Sequence, residues 1–304
     1  MSSQVRAQVS VVIPCFNQAR YLSDAIGSAV SRDFPLEIIV VDDGSTDGTE
    51  GVAATRSAVR CIRQPHRGVA AARNRGLADA RGEYVIFLDP DDRLLPGAID
   101  AAVRGLSARP ECVMAYGRCV MMGRDGTIWR AAERPVVRSG HHAALLRTNL
   151  IWMPAMAILR RNALEQAGGF APGFDAASDY DLYLRLTSRY PVCDHGQLVA
   201  AYRRPAHSPG TDAERKLRET LAVMRRNRPR NPNLESAWRD GYRNWQELYG
   251  TRLVDEIRDH VHARAAWPAC RKAFSLARLA PRVFGRELAK KTRLTVQPRL
   301  RPGV

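Results

Sequence analysis

The chain has 304 residues, 45% of them hydrophobic, enough to bury a full core, and its formal charge is +16. No N-terminal stretch has the make-up of a signal peptide and no apolar run is long enough to cross a bilayer, so a cytoplasmic location is expected. Six scattered cysteines, with no Cys-x-x-Cys pair and no nearby His at metal-ligand spacing, read as reduced, structural thiols.

Val9 to Pro14 is a β-branched run closed by a proline, which predicts a buried strand. A helix follows, with Leu22, Ala25, Ile26, Ala29 and Val30 at helical spacing and Asn17 as its cap. Leu36 to Val41 is a second strand, apolar except for Glu37, and it runs into the polar turn from Asp42 to Gly48. Strand, helix, strand implies a parallel pair. An Ala-rich helix from Val69 to Ala80 ends before Gly82, and a third strand, Tyr84 to Leu88, stops at Asp89-Pro90-Asp91-Asp92. All three strands finish in polar or acidic loops, and in open α/β sheets ligands bind outside those carboxyl ends.

The segment from Cys112 to Ile158 mixes short patterns and supports no assignment. Beyond it a Gly-Gly-Phe turn precedes Ser178-Asp179-Tyr180-Asp181, which matches a capping box and predicts a helix starting at Ser178. After Tyr202 the composition turns to Arg, Glu and Pro, and amphipathic helices follow towards the end.

The chemistry concentrates at Asp89, Asp91 and Asp92. Three carboxylates within four residues repel one another unless a cation, a basic partner or water compensates. A hard divalent ion such as Mn²⁺ or Mg²⁺ takes one or two carboxylates and leaves positions for substrate phosphates, so the spacing suits a metal that carries a diphosphate. A solvated acidic turn before a helix has the same composition.

Taken together, Val9 to Asn17, Ile39 to Asp47, Gly68 to Gly76, Phe87 to Asp92, and Gly168-Gly169-Phe170 followed by Ser178 to Leu182 resemble a family-two glycosyltransferase of the A-type fold. The motifs stand in that family's order over about the first 205 residues. The resemblance implies a mostly parallel α/β nucleotide-binding sheet flanked by helices, with residues 6–205 as catalytic domain and 206–304 as a basic helical C-terminal region. It also implies an inverting transfer of sugar from a nucleotide-diphosphate donor to an acceptor hydroxyl, on a glycan or lipid-linked acceptor in cell-surface glycan or polysaccharide synthesis.

By the same resemblance, Pro14 and Phe16 lie against the nucleotide base, Asp43 accepts its hydrogen bonds, and Arg73 meets phosphate or base. Asp91 or Asp92 binds Mn²⁺ or Mg²⁺, while Asp89 reaches the ribose or the metal shell. Asp179 matches the catalytic base that deprotonates the acceptor. That family usually has Glu immediately before this Asp, and here the place is taken by Ser178. His207 matches a diphosphate contact only with shifted spacing, and Trp152 suits either an acceptor sugar or the core.

Three other classes compete. A dinucleotide-binding oxidoreductase needs Gly-x-Gly-x-x-Gly after the first strand, which Pro14 to Asn17 lacks. A nucleic-acid-binding protein would use the basic tail with Trp238, Tyr242, Trp245, Tyr249, Trp267 and Phe274, yet the tail's apolar residues keep helical spacing, and no nucleic-acid partner is expected. A non-catalytic nucleotide-sugar-binding or scaffold protein is the closer rival, because Ser178 is atypical. From Val261 onward eleven cations stand against the single acid Glu287, so this region suits either an anionic membrane interface, at the inner face of the cell membrane, or packing with its cations in water. Pro268 and Pro281 are expected to divide it into short pieces.

Overall fold

A computed structural model describes residues 8–56, 58–129, 135–203 and 212–296, and the chain divides into two compact units, Met1–Pro209 and Gly210–Val304. The first unit begins with β1 (Val9–Cys15), α1 (Ala19–Ser28), β2 (Leu36–Asp42), α2 (Thr49–Ala54), β3 (Val59–Arg63), α3 (Val69–Asp79) and β4 (Tyr84–Phe87). It continues with β5 (Arg93–Leu94), α4 (Ala98–Ser107), β6 (Met114–Met122), β7 (Ile128–Trp129), α5 (His141–Arg147), β8 (Ala157–Arg160), α6 (Arg161–Gln166), α7 (Ser178–Thr187) and β9 (Val192–Arg203).

These strands form one sheet in the order β3-β2-β1-β4-β8-β6-β9-β5, with β7 attached to β6. The β3-β2-β1-β4 half is parallel, β8 inserts antiparallel between β4 and β6, and β6 and β9 pair in parallel. Every residue of β1 is buried, as expected of a strand covered on both faces. Helix α3 lies against β1 so closely that a Cβ on Gly76 would come within 2.2 Å of Val12 Cγ1. Only glycine permits that approach.

Two local expectations are corrected. Pro14 does not close β1: it is the sixth residue of the strand, buried and paired with Val41. Pairing with β4 has already ended at Val12↔Phe87, so the missing N–H of Pro14 is owed to no partner on that side. Asn17 does not cap α1 either. It sits at φ 53°, a left-handed conformation that Asn tolerates, and its Oδ1 accepts from Thr46 N at 2.8 Å. The free N–H of Ala19 donates instead to Asp47 Oδ2 at 2.8 Å, so the loop after β2 caps α1.

The second unit contains α8 (Ala213–Arg226), α9 (Glu235–His262), α10 (Ala266–Leu279) and α11 (Pro281–Val296). Asp212 caps α8 by accepting from Arg215 N at 2.9 Å. Leu217, Leu221, Leu253, Leu276, Ala280 and Val283 form the core, and Tyr242, Trp245 and Tyr249 pack against it. Those three aromatics are therefore packing residues. Pro268 does not divide the tail, because it falls in the first turn of α10, where a backbone N–H has no intrahelical acceptor. No helix among the described residues is long and apolar enough to cross a membrane.

Candidate active site

Because β1, β2 and β4 run parallel, their carboxyl ends bring Phe16, Asp43 and the Asp89 to Asp92 loop to one edge of the sheet. At the first of these ends the exposed Phe16 ring stacks on the His66 imidazole, centroids 4.0 Å apart. His66 Nδ1 lies 2.9 Å from Asp43 Oδ2. The buried Asp43 carboxylate also accepts from Arg67 N (2.9 Å), Gly68 N (2.9 Å) and Gln64 Nε2 (2.7 Å). It is thus engaged on both oxygens, and it latches the Gln64 to Gly68 loop to the end of β2.

Arg73 takes a course that sequence periodicity does not show. Its side chain does not face water: it is 5% exposed, with Nη2 2.7 Å from Asp89 Oδ1 and Nη1 donating to Ser178 Oγ at 3.2 Å. The guanidinium lies over the Phe170 ring, 5.3 Å from its centroid. One buried cation therefore joins the loop after β4, 16 positions from it in sequence, to the start of α7, 105 positions from it.

Helix α7 does begin at Ser178, but the capping box is absent. The residue at the cap position is Ala177, the Ser178 side chain is fully buried and committed to Arg73, and Asp181 Oδ2 pairs forward with Arg185 Nε at 2.7 Å. A buried guanidinium is the stronger partner for that hydroxyl than a backbone N–H. Asp179 follows in the first turn, where burial pushes its carboxyl above the usual range, Arg73 opposes that shift, and Asp89 adds to it.

The acidic loop is crowded, with Asp92 buried and Asp89 and Asp91 half-buried. Burial first, and Asp89 next, push the Asp91 carboxyl up to about 6; Asp92 is driven up in the same direction by burial and by both neighbours. Arg203 secures this loop. Its backbone N donates to Asp92 Oδ1 at 2.8 Å and its Nε to the Asp91 carbonyl at 2.7 Å, while Nη1 donates to the carbonyls of Gly123 and Arg124. Arg203 is 4% exposed, so it supports the loop from behind.

The structure thus brings Phe16, Asp43, Arg73, Asp89, Asp91, Asp92 and Asp179 to the carboxyl edge, and leaves Pro14 inside the sheet. Trp152 is 45% exposed, which removes it from the core. His207 lies outside the described residues. Sequence reasoning missed His66 and the clamping role of Arg203; the position of His66 two residues before Gly68 was the available signal. A separate cavity of about 590 Å³, lined by Arg109, Cys112, His141, His142 and Cys193 among others, opens at the amino ends of β6 and β9, on the opposite edge.

Among the described residues no three His, Cys, Asp or Glu side chains are grouped to hold a metal ion. An all-protein cage is not what a phosphate-carrying divalent ion needs, since such ions take one or two carboxylates and complete their shell with water and phosphate oxygens. The hard oxygen donors and mutual repulsion of Asp91 and Asp92 fit that chemistry.

Fold and site together define an A-type glycosyltransferase. Two solved structures share this fold: TarS residues 1–349 from S. aureus in complex with UDP (TM-score 0.61, 19% identity, 80% of this chain and 73% of that one) and the mannosyltransferase PcManGT from Pyrobaculum calidifontis in complex with GDP-Man and Mn²⁺ (TM-score 0.62, 21% identity, 96% and 81%). Residues 10–168 match glycosyl transferase family 2, and the chain belongs to that family. An uncharacterized protein of Mycobacterium tuberculosis is 30% identical over 72% of this chain and 73% of its own length. The chondroitin synthase of Escherichia coli is 28% identical over 68% of this chain, which spans only 30% of that enzyme. The chain is accordingly a glycosyltransferase, which decides against the scaffold reading.

Proposed function

We propose that this glycosyltransferase inverts configuration and depends on a divalent cation, moving a sugar from a nucleoside-diphosphate donor to an acceptor hydroxyl in cell-surface glycan or polysaccharide synthesis. The donor lies along the carboxyl edge, its base against the exposed faces of Phe16 and His66, and its diphosphate towards Asp91 and Asp92. These two residues hold Mn²⁺ or Mg²⁺, which when bound neutralises charge on the departing diphosphate. Asp43 shapes the base site by latching the loop that carries His66, and Asp89 orients the donor from its fixed position on Arg73.

Asp179 accepts the proton of the acceptor hydroxyl as that oxygen bonds to the anomeric carbon. The bond from that carbon to the diphosphate oxygen breaks in the same step, and its electron pair leaves with the diphosphate. The observation that carries this reading is the Arg73 bridge. A single buried guanidinium holds the donor-side Asp89 and the helix start bearing Asp179, so donor and base keep a fixed separation through the displacement. Acceptors in glycan assembly are the class indicated by relatives named as chondroitin synthase and hyaluronan synthase.

The test is a panel of nucleotide sugars assayed with Mn²⁺ or Mg²⁺, with the product's anomeric configuration read by NMR. Turnover with inversion is expected in the parent protein, and Asp179→Ala is expected to lose turnover while calorimetric donor binding persists. Retained configuration, or turnover surviving in Asp179→Ala, sinks the reading.

A further inference from the structure

Helix α10 turns two unlike faces outward and inward. Leu276 and the following Ala280 belong to the core of the second unit, and Ala269, two turns before Leu276, is buried as well. On the opposite side Trp267 is 79% and Phe274 72% exposed. Seven residues apart, they stand two turns from one another on one stripe, about 10 Å along the axis. Cys270, Arg271 and Arg278 fall on the same stripe and are also exposed.

Two aromatic side chains this large and this exposed on one helix face are a lost burial opportunity for a protein in water alone. The charge beside them has one sign. Between Asp259 and Glu287 the chain has no acidic residue, and Arg264 and Arg282 flank α10 at its two ends. Among the described residues Arg264, Arg278 and Arg282 have no carboxylate within ion-pair distance, whereas Arg271 Nη1 meets Glu214 Oε2 at 3.2 Å. The stripe is the outer flank of a helix, not a groove, so it offers no pocket for a partner's side chain. Indole and phenyl rings projecting from this flank, with the unpaired Arg278 on the same stripe and Arg264 and Arg282 just beyond the helix ends, match an interface of acyl chains beneath anionic headgroups.

We infer that the exposed stripe of α10 is a docking surface for an anionic phospholipid bilayer, with Trp267 and Phe274 entering the acyl boundary and Arg264, Arg278 and Arg282 meeting the phosphates. The second unit then lies on the membrane without crossing it. This inference does not rest on the proposed chemistry, because none of these residues belongs to the active site.

The full chain is mixed at low salt with vesicles of phosphatidylcholine alone or with a third of phosphatidylglycerol, and bound protein is measured by flotation. Binding to the anionic vesicles is expected, weakening as salt rises. Trp267→Ala/Phe274→Ala is expected to lower the partition by about tenfold. Arg264→Glu/Arg278→Glu/Arg282→Glu is expected to abolish the preference for anionic lipid. All five positions are exposed, so both variants are expected to keep the parent's thermal melting and its turnover on a water-soluble acceptor. No binding of the parent to anionic vesicles, or unchanged partition in the aromatic double variant, overturns the inference. So does a concentration-dependent dimer in the parent that becomes monomer in that variant, since the stripe would then serve a second copy of the chain.

Discussion

The loops that follow β2 and β4 both carry aspartates, yet they are built to opposite ends. Asp43 after β2 has every oxygen engaged by groups of the chain itself, two of them backbone N–H donors. After β4 the buried Asp92 and the half-buried Asp91 stand beside one another and beside Asp89, with burial and mutual repulsion raising both carboxyls. The first loop is complete as folded, while the second is held in place by Arg203 at a standing electrostatic cost. Acidic loops at the ends of the two strands that flank β1 thus divide into a structural latch and a site that awaits positive charge.

The largest effect is expected outside both loops, at the residue they serve. Asp179→Asn should lower kcat by about 10²- to 10⁴-fold with little change in donor KM. In the parent, the base must be ionised and its carboxyl is held above the ordinary range by burial. Activity should therefore fall as pH drops through that raised value. An acid limb of kcat at the unperturbed carboxylate value, near 4, would count against Asp179 as the base.

Next in size is the latch. Asp43→Ala strands the N–H groups of Arg67 and Gly68 and should cost about 3 kcal/mol in urea unfolding. A loss confined to donor KM, with stability unchanged, would instead make Asp43 a pure ligand contact and erase the contrast between the loops.

Asp91→Asn should act with the opposite sign. Its folded carboxyl stands near 6, above the ordinary 3.8, so the protonated group contributes stability that is fully present below about pH 4 and lost as pH rises through about 6. At pH 7.5 without metal, removing that charge should raise Tm by about 3 °C. The same variant should lose the Tm increase that Mn²⁺ with donor produces in the parent. A metal-free Tm that falls, or an undiminished Mn²⁺ effect, would refute the assignment. The smallest effect belongs to Ser178→Ala, which removes one hydrogen bond from Arg73 and should change kcat/KM by about fivefold or less. A larger loss would mean that the hydroxyl positions the acceptor directly.

What could be read from sequence follows the range over which each interaction acts. β1, β2 and β4 were legible because a β-branched run and the acidic turn ending it are local signals, and the family resemblance brought their ends together. The pairing of β6 with β9 was not legible, since it joins segments some 80 positions apart with two register shifts. The misreadings share that cause. Ser178 has the local pattern of a cap, but its partner lies 105 positions away in Arg73. Arg203 stands where the composition turns to Arg, Glu and Pro, and nothing local signals its contacts to the Asp91 loop, which span 112 positions. Asn17 failed as a cap because Asp47, 28 positions from Ala19, reaches the helix start first.

The placing of the thiols has a practical consequence for labelling. Burial pushes the Cys15 thiol up to about 11 and the Cys112 thiol up to about 12, and it raises that of Cys61, so these sulfurs stay protonated and unreactive at neutral pH. Cys119 and Cys193 are buried, whereas Cys270 is exposed on the stripe between Trp267 and Phe274. A maleimide dye added to the unaltered protein should therefore attach at Cys270, and it would report directly on whatever that face of α10 touches.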